Sequence, residues 1–262
     1  MRLIFIRHGE PDYNCDGLTE KGRRDARILA DRIKEWKVDR VFVSPLGRAK
    51  ETAEPSLHAL NMSAEEIPWL REFSHPIINP THGEKSVNWD FIPSDWSDNP
   101  VMYSVSDWLD AEPAAQNHML KKQYNDAVSG MDEILAEYGL VRTGNYYINE
   151  KNPKNRRVTS TVIDMNRHFA NELPPEDAGE MLLFFCHFGV TCLILSHLLN
   201  IPFNTLTHGT VIPTCGITIV NSEERWDNQL SFRMQTLGDV SHLLAAGEGI
   251  SSAGSFTPLF QK

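Results

Sequence analysis

The stretch Arg2–Gly9, RLIFIRHG, decides how this 262-residue chain is read. Leu3, Ile4, Phe5 and Ile6 run without interruption into Arg7, His8 and Gly9. A short unbroken apolar run that stops at polar residues fits a strand buried on both faces. Comparable runs predict strands at 40–43, 181–186, 216–220 and 230–235. Helical patterns alternate with them. Thr19 is a plausible N-cap for a helix carrying Ala26, Leu29, Ile33 and Trp36 on one face. From Ala114 onward, Leu120, Tyr124, Val128, Met131, Leu135 and Tyr138 share a face, and Gly139 stops that helix. Val158, Val162, Met165 and Phe169 form a further face, ended by Pro174 and Pro175. This alternation predicts an α/β fold with a mostly parallel central sheet and helices on both faces.

The bulk numbers narrow the possibilities. A chain of this length in one α/β domain buries roughly 70% of its unfolded surface, and we expect a single domain over 1–262. A content of 41% hydrophobic and 23% charged residues is that of a globular protein. The net charge of -10 argues against nucleic acid or an anionic membrane as partner. Cys15, Cys186, Cys192 and Cys215 contain no CxxC pair and read as free thiols in a reducing, cytoplasmic setting. Met1 leads directly into the first strand, without the pattern of a secretory signal. The stretch 181–199 approaches membrane-spanning length. His187, Gly189 and His197 interrupt it, and a strand followed by a buried helix explains it better.

Residues 73–113 break the rhythm with five prolines and with Trp89, Phe91, Trp96, Tyr103 and Trp108. Together with the helix that follows, they read as an insertion over 73–150, lying across the strand ends. Its aromatic residues are expected to bury one another rather than line a pocket. The basic residues Lys151, Lys154, Arg156 and Arg157 read as a solvated loop.

Ligands of open α/β sheets bind at the carboxyl ends of strands. Three such ends carry unusual residues: Arg7 and His8; Ser44 to Arg48, where Ser44 can cap a helix with Pro45 in its first turn; and His187. Each is ordinary alone. Together they gather Arg7, Arg48 and two histidines beside helix N-termini in an acidic protein, a combination suited to phosphate or another oxyanion. Two like charges about 4 Å apart cost about 4 kcal/mol at an effective dielectric near 20, so an anion is their natural complement. The arginines disfavour protonation of His8 and leave a ring nitrogen free to attack phosphorus. Departure of an alkoxide then needs a carboxylic acid, for which Glu72 is the first candidate and Glu84 and Asp90 are reserves.

These residues resemble the histidine phosphatase superfamily, which includes cofactor-dependent phosphoglycerate mutases. The resemblance rests on Arg7-His8-Gly9, on Asn14, on Leu18, Thr19, Gly22 and Ala26, on Ser44, Leu46, Arg48, Ala49, Thr52 and Ala53, and on His187. It covers about 1–72 and 180–220. It implies a phosphoglycerate mutase-like sandwich and a ping-pong mechanism without cofactor or metal. His8 would be the nucleophile. Arg7, Arg48 and His187 would clamp the phosphate, with Asn14 as a supporting donor and Glu72 as acid and then base. Pro11 stands where a hydroxyl residue is common, Phe188 where a small residue is usual, and Glu72 is followed by Phe-Ser-His-Pro rather than the mutases' stretch. A small-molecule phosphomonoester is therefore the expected substrate, with its identity and the oligomeric state left open. Mutase chemistry, a metal site built on His8, Asp12, His187 and His208, and an inactive phosphate-binding module are the competing readings.

Overall fold

The computed structural model describes residues 1–151, 179–224 and 228–261. The helical face at Val158–Phe169 and the basic residues Lys154, Arg156 and Arg157 lie outside the described residues. Lys151 donates from Nζ to the Glu137 carbonyl oxygen.

Among the described residues, the twelve strands in chain order are β1 (Arg2–Arg7), β2 (Pro11–Asp12), β3 (Gly17–Leu18), β4 (Arg40–Val43), β5 (Glu65–Glu66), β6 (Ile77–Ile78), β7 (Lys85–Ser86), β8 (Leu140–Thr143), β9 (Tyr146–Asn149), β10 (Met181–Cys186), β11 (Ile217–Glu224) and β12 (Gln229–Asp239). Eight of them form one sheet in the order β5-β4-β10-β1-β11-β12-β9-β8, while β2-β3 and β6-β7 are small separate pairs. Among the described residues seven α-helices accompany them: α1 (Glu20–Ile33), α2 (Gly47–Leu60), α3 (Pro93–Ser97), α4 (His118–Glu137), α5 (Phe188–Leu199), α6 (Phe203–Gly209) and α7 (Ser241–Ala245).

The sheet is mixed rather than mostly parallel. Pairings β5·β4, β4·β10 and β10·β1 are parallel, whereas β1·β11, β11·β12, β12·β9 and β9·β8 are antiparallel. The reason is connection length. Only four residues separate β11 from β12 and only two separate β8 from β9, far fewer than the dozen or so that a parallel crossover needs.

Period-two alternation divides the sheet between two cores. Leu3 and Phe5 of β1, Phe42 of β4, and Leu182 and Phe184 of β10 join one cluster with α4, α5 and α6. Ile4 and Ile6, Val41 and Val43, and Leu183 and Phe185 join the other with α1, α2 and α7. Helices therefore cover both faces. The aromatics of 73–113 have two fates: Phe73 and Trp108 are buried in the first core, meeting Phe203 edge-on and stacked respectively, but Trp89, Phe91 and Trp96 remain half-buried. The stretch 181–199 is β10 followed by α5, and no helix of the described residues is long and apolar enough to cross a membrane.

Candidate active site

Register brings the site together. Arg7 pairs with Cys186 and Phe185 with Val43, so His8, His187 and Ser44 emerge side by side from three parallel strands. The bonds His8 N–H to Cys186 O (3.0 Å) and Ser44 N–H to Phe185 O (2.9 Å) carry the ladder one residue past each strand. Gly9 N–H donates to Thr52 Oγ1 at 2.8 Å, which ties the turn after His8 to α2. Behind that turn Gly22 packs so tightly that a Cβ would stand 2.4 Å from the Glu10 carbonyl oxygen. A larger residue there would push the His8 loop outward.

His8 is buried, at 2% exposure, and its Nδ1 lies 2.7 Å from the Gly9 carbonyl oxygen. A carbonyl can only accept, so Nδ1 carries the proton and Nε2 keeps its lone pair. Burial, reinforced by Arg7 and Arg48 and opposed by the Gly9 bond, lowers the His8 pKa to about 3. The His8 ring is thus neutral at physiological pH. Its ring lies 5.0 Å from that of His187, which is fully buried and pairs through Nε2 with Ser44 Oγ at 2.7 Å. Burial and the neighbouring His8, Arg48 and Arg7 keep His187 neutral as well.

The arginines are held from behind. Arg7 donates to the carbonyl oxygens of Ile212 (2.6 Å) and Ala253 (3.2 Å). Arg48 donates to Asp16 Oδ1 at 2.6 Å, and Asp16 Oδ2 accepts from Gly47 N–H at the start of α2. Asp16 was not expected in the site. It supplies the counter-charge that lets two arginines stand close together, and its position in a polar turn gave no signal. Ser44 is not the α2 N-cap either: the helix starts at Gly47 with Leu46 as cap, and Ser44 Oγ accepts from Leu46 N–H while contacting His187. Three buried nitrogens, Arg7 Nε, Arg48 Nε and His187 Nδ1, have no hydrogen-bond partner among the described residues. Buried donors are rarely left unpaired; an oxyanion accepts from the two arginine Nε–H groups, and from His187 Nδ1 in the tautomer where Ser44 Oγ–H donates to Nε2.

Glu72 joins the cluster from the strip after β5. Its Oε1 accepts from Phe73 N–H (2.9 Å) and from Val190 N–H (3.2 Å), in the first turn of α5. Gln123 Nε2 fixes its backbone oxygen at 2.7 Å. Burial raises the Glu72 pKa, more than Arg7 and Arg48 lower it. A Cβ on Gly189 would stand 2.8 Å from Glu72 Oε1 and 2.5 Å from two ring carbons of Trp89, so only glycine admits both groups. The other expected residues lie apart. Asn14 sits on an exposed turn with its Nδ2 on Asp12 Oδ1, because the Asx turn at Asp12 uses its side chain locally. Glu84 is exposed, Asp90 binds Ser86 Oγ, and His208 stacks between Phe91 and Trp96. Among the described residues, no three His, Cys, Asp or Glu side chains converge as a metal site.

A cavity of about 350 Å³ opens beside Arg7, with Trp89, Phe91, Trp96, Phe188, His208 and Phe256 among its walls. Phe188, unusual for its position, presents its ring 5.8 Å from the Arg7 guanidinium and edge-on to Trp89.

Comparison with known proteins places this geometry. The chain is 31% identical over 91 residues to a probable phosphoglycerate mutase GpmB of Cronobacter sakazakii, covering 31% of this chain and 42% of the relative. It is 36% identical over 79 residues to the uncharacterized phosphatase PhoE of Bacillus subtilis, covering 27% and 41%. The matches thus span less than half the length of these two relatives. Among solved structures, a phosphoserine phosphatase mutant from Entamoeba histolytica, in complex with phosphoserine, aligns over 92% of this chain and 98% of its own, with a TM-score of 0.53 at 17% identity. A family model for the histidine phosphatase superfamily (branch 1) matches residues 3–104. Residues 3–104, the part of the chain that resembles this superfamily, carry Arg7, His8, Arg48 and Glu72.

Proposed function

We propose that this protein hydrolyses phosphomonoesters through a phosphohistidine on His8. The observation that carries the reading is the fixed tautomer of His8: Nδ1–H is held on Gly9, and Nε2 is left as a neutral nucleophile beside three unpaired buried nitrogens. Arg7, Arg48 and His187 bind the phosphoryl oxygens. Nε2 forms a bond to phosphorus as the bond from phosphorus to the ester oxygen breaks, and protonated Glu72 gives its proton to the departing alkoxide. Glu72, now a carboxylate, takes a proton from water as that water attacks the phosphohistidine. Phosphate leaves and His8 returns to its starting form. Asn14 has no part in this scheme. Four free thiols, three of them buried, support a reducing cytoplasmic setting.

Rapid quench after mixing with a phosphoester should trap acid-labile, alkali-stable phosphate on His8, and His8→Ala should lose turnover. Wild-type turnover by His8→Ala would refute the proposal. The mutase named among the relatives keeps phosphoryl transfer between carbon positions as the second reading. Transfer without release of inorganic phosphate would favour it.

A further inference from the structure

The cavity beside Arg7 has a chemical character that the phosphate clamp does not require. Its only fully charged lining residues among the described ones are Arg7 and Asp90. Two of the Arg7 N–H groups are spent on Ile212 and Ala253, and the Asp90 carboxylate accepts from Ser86 Oγ. Among the described residues no lysine and no second arginine lines it, so they offer a substrate carboxylate beside the phosphate no cation of its own. Five of the remaining lining residues are aromatic, Trp89, Phe91, Trp96, Phe188 and Phe256, and they supply its largest side chains. Phe91 and Trp96 stack on the two sides of His208, at 5.7 and 4.8 Å, and Phe188 meets Trp89 edge-on. His208 is not a cation here: burial lowers its pKa, and its Nδ1 lies 2.9 Å from the Asn204 carbonyl oxygen.

The cavity also begins where the proton donor ends. Trp89 lines it, and the same ring shares the space over Gly189 with Glu72 Oε1. An ester oxygen protonated by Glu72 therefore has its carbon substituent beside Trp89. A further wall is the segment Gly254–Thr257, latched to Arg7 through Ala253, and a Cβ on Gly254 would stand 2.6 Å from Arg7 Nη2.

We infer that this cavity is the leaving-group pocket, and that the preferred substrate is a phosphomonoester of an alcohol bearing a bulky, uncharged aromatic or polycyclic body. The inference rests on the phosphatase reading and specifies its substrate class. A compact quaternary ammonium ester fits less well, because the Phe188 face already meets the Arg7 guanidinium and the cavity is far larger than such a headgroup.

The test compares four esters under one set of conditions: 2-(1-naphthyl)ethyl phosphate, ethyl phosphate, 3-phosphoglycerate and phosphocholine. Naphthylethyl and ethyl phosphate both release primary alcohols, so their demand on Glu72 is matched and the ratio of kcat/KM reports the pocket. The expected ratio is at least about 100 in favour of the naphthyl ester. Trp96→Ala should lower that ratio at least about tenfold. Ser255→Trp, which fills the pocket from a loop, should bring it near one and guards against misfolding of the first variant. Hydrolysis of ethyl phosphate through phosphohistidine with no preference for the naphthyl ester, or with 3-phosphoglycerate or phosphocholine preferred, overturns the inference and leaves the phosphatase reading standing. Absence of both turnover and phosphohistidine with all four esters overturns the two together.

Discussion

Glu72→Gln separates proton donation from architecture. The variant keeps a carbonyl at Oε1, so the bonds from Phe73 N–H and Val190 N–H, at 2.9 and 3.2 Å, survive. Only the transferable proton and the basic carboxylate are lost. General acid catalysis contributes roughly 10²–10⁴-fold, or about 2.7–5.5 kcal/mol of barrier. That loss is expected in the phosphorylation step with alkyl esters, whose alkoxides leave poorly without a proton. With 4-nitrophenyl phosphate the leaving group needs little help, and phosphorylation should slow by less than about tenfold. Hydrolysis of the phosphohistidine still lacks its base, so rapid quench should show a burst of one 4-nitrophenol per site followed by slow turnover. Equal slowing with both esters would refute the assignment of the acid. Undiminished phosphorylation by the alkyl ester would also refute it.

Three further outcomes follow from the geometry. Gly189→Ala forces apart Trp89 and Glu72, which should cost about 1–3 kcal/mol and lower Tm by several degrees; an unchanged melting curve and phosphorylation rate would contradict the close packing. Asp16→Ala frees the Arg48 guanidinium and the Gly47 amide and should raise KM about tenfold with a smaller effect on kcat, and a variant with wild-type KM would show that Arg48 needs no such support. His8 has a pKa near 3 when folded and about 6.5 when unfolded, so between these values the unfolded chain binds the extra proton. His187 is shifted in the same direction. Their contribution to stability is complete above about pH 6.5 and is lost as pH falls towards 3, so the urea midpoint should decline through that window and His8→Asn should flatten part of the slope. A pH-independent difference between the two proteins would count against a buried neutral His8.

The parallel half of the sheet was legible because its strands are unbroken apolar runs with polar ends, and the site residues are those ends. Strands β10 and β4 fall where the apolar pattern puts them, and Thr19 caps α1 as expected, accepting from Gly22 N–H. The antiparallel half was harder, since orientation resides in connections rather than in composition. The hairpin β8-β9 does carry a local sign, Gly144 at φ +61° between two short β-branched and aromatic runs. Asp16 and Ala253 could not be read as partners of Arg48 and Arg7. One acts through a turn at φ +48°, and the other through a backbone carbonyl 246 residues away, which no side-chain pattern encodes. The aromatic stretch was ambiguous for a related reason: composition does not distinguish Trp108, which fills the core, from Trp96, which faces a cavity.

The latch between Arg7 and the segment after Ser251 has a consequence for how such a molecule can diverge. The groups proposed for phosphoryl chemistry stand mainly on strand ends whose positions the sheet fixes. The cavity walls come from irregular stretches that meet this frame at Arg7 and Gly189. Loops exchanged around those two joints would alter which alcohol is accepted while leaving the attacking nitrogen and its proton partner in place. One frame could thereby serve a series of unrelated esters, provided each new wall still offers Arg7 a carbonyl oxygen to hold.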